Sequence, residues 1–111
     1  MSFKVASVEE YFSTLDKRFV EAGAKGVSAV FQFDLAESGI HHVEVKDNGM
    51  SYAKGAHAAP TTTIKMTGEN FVKMSNGELS GQMAYMTGKM KISGSIPMAM
   101  KMKEIFPQVG G

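Results

Sequence analysis

Apolar and polar positions change their period several times along this chain, and each change marks an element. Val8, Tyr11, Phe12, Leu15 and Phe19 recur at helical spacing. Ser7 and Glu10 stand where a capping box would close the start of that helix, and Gly23 where it would stop. From Val27 the period becomes two. Ala29, Phe31, Phe33 and Leu35 alternate with Ser28, Val30, Gln32 and Asp34, which predicts a half-buried strand. Ser38-Gly39 turns the chain into a second strand, Ile40 to Lys46, and Asp47-Asn48-Gly49 into a third, Met50 to Lys54, so that three strands form a meander. Thr61 to Met66 is β-branched and alternating, with Thr62, Ile64 and Met66 on one face.

Helical signals then return. Thr67 is a candidate N-cap before Glu69 to Met74, and Ser75-Asn76-Gly77 breaks that piece. A second short helix is expected over Leu79 to Met86, weakened by Gly81. Lys89 to Ser93 alternates as a fifth strand before Gly94. The last helix starts near Ser95, with Pro97 in its first turn and Met98, Met102 and Ile105 on one stripe. Pro107 and Gly110-Gly111 close the chain. Runs of strands followed by runs of helices argue for α+β, with helices on one face of a mostly antiparallel sheet. A chain of 111 residues forms one domain, 1-111.

Composition adds one positive signal. Ten residues are methionine, nine of them between Met50 and Met102. Methionine is unbranched and polarizable, so such a cluster builds either an adaptable apolar surface or simply a core that favours this filler. Met83, Met86, Met90, Met98 and Met102 fall in elements that can separate without opening the sheet, where a lipid cavity would place them.

Other classes are poorly supported. A net charge of +1 lacks the basic footprint of a nucleic-acid partner. With no cysteine, disulfides, thiol nucleophiles and thiolate metal sites are excluded. His41 and His42 are strand neighbours whose side chains point to opposite faces, and His57 lies in a small-residue loop. No phosphate-cradling glycine motif and no nucleophile elbow is present, so neither an enzyme nor a cofactor is expected. The start of the chain lacks a signal-peptide pattern, and a cytoplasmic location is expected. Between Glu78 and Glu104 there is no acidic residue, while Lys89, Lys91, Lys101 and Lys103 lie there. Lysines around apolar residues suit transient docking on an anionic membrane, and they equally suit plain solvated faces.

The stretch Gln82-Met-Ala-Tyr-Met-Thr-Gly-Lys-Met-Lys-Ile-Ser-Gly94, preceded by Glu69 to Met74 and followed by Met98-Ala-Met-Lys101, resembles the sterol carrier protein 2 domain family. The helix and three-strand meander at the N-terminus follow the family order, so the resemblance covers nearly the whole chain. It implies a five-stranded sheet covered by helices and enclosing an apolar tunnel for fatty acid, fatty acyl-CoA, sterol or phospholipid. By resemblance the lining falls on Gln82, Met83, Tyr85 and Met86, and more loosely on Met98 and Met102. The end Pro107-Gln-Val-Gly-Gly differs from the peroxisomal signal of animal members, which suggests a compact prokaryotic one. The expected function is a non-enzymatic lipid carrier. The alternative is an accessory module that binds an isoprenoid such as a polyprenyl quinone for biosynthetic enzymes.

Overall fold

In the structure, a computed structural model, residues 4–109 are described. The opening Met1-Ser2-Phe3 and the expected chain end at Gly110 and Gly111 lie outside them. A five-stranded sheet has the order β3-β2-β1-β4-β5, with β1 Ala29–Asp34, β2 Ile40–Lys46, β3 Gly49–Lys54, β4 Thr62–Lys65 and β5 Lys91–Gly94. Three of its pairings are antiparallel, while β4 lies parallel to β1 with Phe33 opposite Ile64. The sheet is therefore mixed.

Alternation along the strands sends Phe31, Phe33, Val43, Val45, Thr62 and Ile64 to one buried face. The β2–β3 turn is built on Asp47 and Asn48, both with positive φ (54° and 61°), as a two-residue I′ hairpin requires. The glycine that marked this turn in the sequence, Gly49, instead pairs with Lys46 as the first residue of β3.

Helices cover the buried face. The N-terminal segment is not one helix but three short ones: α1 Val8–Ser13, α2 Leu15–Arg18 and α3 Glu21–Ala24. Ser13 and Thr14 explain the first break, because both hydroxyls donate back to the Glu10 carbonyl, at 3.1 and 2.7 Å, and Thr14 leaves helical angles. The cap is as expected at Ser7, whose Oγ accepts from the Glu10 amide, but Glu10 accepts from Ala6, one residue before the cap. Gly23 does not stop the segment. It sits inside α3 where the chain passes the C-terminal helix, and a Cβ there would collide with the Glu104 carbonyl oxygen.

The remaining helices are α4 Gly68–Ser75, α5 Gly81–Met86 and α6 Ile96–Ile105. Thr67, Ser80 and Ser95 cap them, each accepting from the amide three residues on. Their inner sides meet an aromatic cluster in which Phe12 stacks on Phe71 and on His41, with centroids 5.8 and 4.5 Å apart. His41 is buried there. Its Nε2 faces the Ser38 carbonyl, which can only accept, so Nδ1 accepts from the Tyr52 hydroxyl at 2.7 Å. His42 points to the other face, toward the Gly55 carbonyl and the His57 ring.

Candidate functional site

Between α4, α5, α6 and the β4–β5 edge lies an apolar cavity of about 300 Å³. That volume is at the lower end of the roughly 300–1,000 Å³ typical of ligand pockets. Its floor is Ile64 and Ile92, which pair across β4 and β5. Phe71 and Met74 of α4, Met90 before β5, and Met102 and Phe106 at the far end of α6 make the walls. Tyr85, Ile96 and Met100 also line it and are exposed, so the cavity opens to the surface between α5 and α6. The enclosed tunnel implied by the resemblance is thus, among the described residues, a pocket with a mouth.

The residues singled out from sequence divide. Gln82, Tyr85 and Met102 line the cavity. Met83 and Met86 do not: they are 53 % and 69 % exposed. With about 3.6 residues per turn, Gly81, Gln82 and Tyr85 share one arc of α5 and Met83 falls opposite them. The small Ala84 takes the fully buried position of this helix, leaving both methionines outside. Met98 packs against the core instead of the cavity.

The four lysines do not form one face either. Lys91 projects from the side of β5 opposite Ile92, beside its cross-strand partner Lys65, and with Lys89 lines a shallow cleft there. Lys101 pairs with Glu104 at 3.7 Å. Lys103 alone of the four lines the cavity. Positions two apart on a helix point in nearly opposite directions, which separates Lys101 from Lys103.

Polar chemistry inside the cavity is sparse. Tyr11 and Ser75 are buried in its wall, and Gln82, Lys103 and Gln108 contribute further polar groups. Gln108 donates from Nε2 to the Met74 carbonyl at 2.9 Å and so pins the C-terminal segment against α4. Arg18 is fully buried, its guanidinium 4.7 Å from the centre of the Tyr11 ring. Burial holds Arg18 below its ordinary pKa, opposed by Tyr11 and Glu10.

Burial pushes the Tyr11 phenol up to about 12, partly opposed by the Arg18 charge. The fold thus favours the neutral phenol. An unfolded tyrosine ionises near pH 10, so from there to about pH 12 the folded chain holds a proton the unfolded chain has lost, and stability falls as pH rises. The full effect is about 2–3 kcal/mol. Tyr11→Phe should lack this part of the alkaline loss. Denaturant midpoints at pH 7 and 11 check it, and equal losses in both proteins would contradict it.

No group of three His, Cys, Asp or Glu among the described residues could hold a metal. No helix among them is long and apolar enough to cross a membrane. What the geometry offers is an apolar enclosure with polar groups at its mouth and two buried hydroxyls in its wall.

Comparison with known proteins identifies the family and the fold. Hydroxysteroid dehydrogenase-like protein 2 of Mus musculus is 31% identical over 109 residues, 93% of this chain and 22% of that protein. The chain spans about a fifth to a quarter of the length of such curated relatives. The palmitated SCP2L2 of Aedes aegypti is similar at 26% identity and TM-score 0.63, covering 89% of this chain and 93% of that one. The sterol carrier protein domain 2 of Helicoverpa armigera superposes with TM-score 0.70 at 20% identity, covering 92% and 91%. The family model for SCP-2 sterol transfer matches residues 12–107, and with the sheet order, the helical cover and the cavity in place, this chain belongs to that lipid-binding family.

Proposed function

We propose that this chain is a non-enzymatic carrier that holds one long-chain fatty acid or fatty acyl-CoA, with the acyl chain in the cavity between α4, α5, α6 and the sheet. The observation that carries this reading is the apolar wall closed by Phe71, Met90, Ile92 and Met102, with polar groups gathered where the cavity meets solvent. A buried C16 chain gains on the order of 11 kcal/mol at about 0.8 kcal/mol per methylene. Micromolar affinity needs about 8 kcal/mol, and the difference is the size of ordinary ordering costs. Gln82, Tyr85 and Lys103 at the mouth suit a carboxylate or phosphate head group.

A second reading is supported by the exposed Ile96 and Met100 on α6 beside the mouth. It is an accessory module that presents an isoprenoid, such as a polyprenyl quinone, to biosynthetic enzymes. An apolar rim beside an open pocket fits a partner surface better than it fits a sealed carrier.

Displacement of a fluorescent fatty acid separates these. Palmitate should compete with a dissociation constant near micromolar, and Met83→Asp, on the outer side of α5, should compete like the parent. Displacement by a polyprenyl quinone and not by any acid of about 14 to 18 carbons would favour the presenting module. No saturable binding of either class would overturn both readings.

A further inference from the structure

Ser75 is the last residue of α4 and shares the cavity-facing stripe of that helix with Phe71 and Met74. The residue is buried, 6 % exposed, and its Oγ has no hydrogen-bond partner among the described residues. A helical serine can donate to a carbonyl one turn back, as Ser13 does to Glu10, and Ser75 does not. The polar groups around it are engaged. Asn76 exchanges two hydrogen bonds with the Val5 backbone, at 2.8 Å each. Gln108 donates to the Met74 carbonyl, and the Ser75 carbonyl accepts from the Val109 amide. Of the two buried hydroxyls in the cavity wall, that of Ser75 has no partner, and a lipid that fills the cavity can supply one.

We propose that Ser75 recognises a hydroxyl on the buried part of the lipid, so that the site takes acyl chains hydroxylated at or near the end remote from the head group. This rests on the cavity being the lipid site and goes beyond it by naming a ligand class. The group is uncharged, because Phe71 and Met74 beside Ser75 offer no counter-charge and an ionised group there would be desolvated without compensation. A ligand hydroxyl can both donate to and accept from Ser75 Oγ.

The test compares ω-hydroxy fatty acids with the plain acids at each chain length from about 10 to 16 carbons, so that the titration itself finds the length whose end meets Ser75. Binding is measured by displacement of a fluorescent fatty acid, to the parent and to Ser75→Ala. At the chain length that reaches Ser75, the parent should favour the hydroxy acid, relative to Ser75→Ala, by roughly three- to tenfold. The plain acids should bind both proteins alike. The melting temperature of ligand-free Ser75→Ala should equal or exceed that of the parent, because the hydroxyl it removes makes no bond. Identical discrimination by the two proteins at every length would overturn the inference and leave the carrier reading standing. A clear fall in the melting temperature would also overturn it, since it would reveal a structural bond at Ser75. Failure of every acid to bind would take down both together.

Discussion

Phe71→Ala should cost about 3–5 kcal/mol, the range for emptying a large aromatic position in a packed core. Phe71 is 1 % exposed and lies within the aromatic cluster, with ring centroids 4.7 Å from Tyr11, 5.5 Å from Phe33 and 5.8 Å from Phe12. It joins three layers at once: α1, the sheet and the cavity wall. A truncation there opens a void that no single neighbour can refill, because each ring is already held by the others. For a domain of this size the melting temperature should drop by about 15 °C or more. A loss below about 1 kcal/mol would show that the cluster is loosely packed around Phe71.

The second large effect runs in opposite directions for binding and for stability. Ala99 lies half-buried on the cavity side of α6, so Ala99→Phe places a ring where the acyl chain is proposed to lie. Lipid affinity should fall by roughly 30-fold or more, equivalent to about 2 kcal/mol. Stability should stay level or rise, since the ring occupies empty apolar space. Isothermal titration with palmitate, beside a thermal melt, reads both. Unchanged affinity in a well-folded variant would place the lipid elsewhere.

The sheet was legible because its strands are buried on one side. Val43 and Val45 alternate with His42, Glu44 and Lys46, and the strand begins and ends at the expected Ile40 and Lys46. Thr62, Ile64 and Met66 likewise share the buried side. The parallel pairing of β4 with β1 was not legible, because alternation records which face a residue occupies and says nothing of which neighbour lies beside it. The N-terminal segment misled for a local reason. Its apolar spacing is helical throughout, while the hydroxyls of Ser13 and Thr14 compete for the same carbonyl and break the helix between them.

The cavity lining was legible only in part. A methionine-rich second half pointed to the segments that line the cavity, but a six-residue helix such as α5 is too short for composition to set its phase. The buried position went to Ala84, which carries little hydrophobic signal, and Met83 and Met86 were left outside. The lysines shared an acid-free interval and not a surface, because β5 and α6 lie on different layers. Ser75 drew attention only as part of a helix-breaking Ser-Asn-Gly run. Its role in the wall depends on Gly68–Ser75 and the Phe106–Val109 segment meeting, which no local pattern records.

The methionines supply the most direct test of where lipid binds. With methyl-¹³C methionine in the protein and resonances assigned by single Met→Leu variants, palmitate is titrated in. Met74, Met90, Met100 and Met102 line the cavity, while Met50 on β3 and Met66 after β4 lie outside it. The expected result is saturable shifts of those four with a common dissociation constant, and resonances of Met50 and Met66 that stay in place. Shifts centred on Met50 or Met66, with the four cavity methyls unmoved at saturation, would contradict a lipid site between α4, α5, α6 and the sheet.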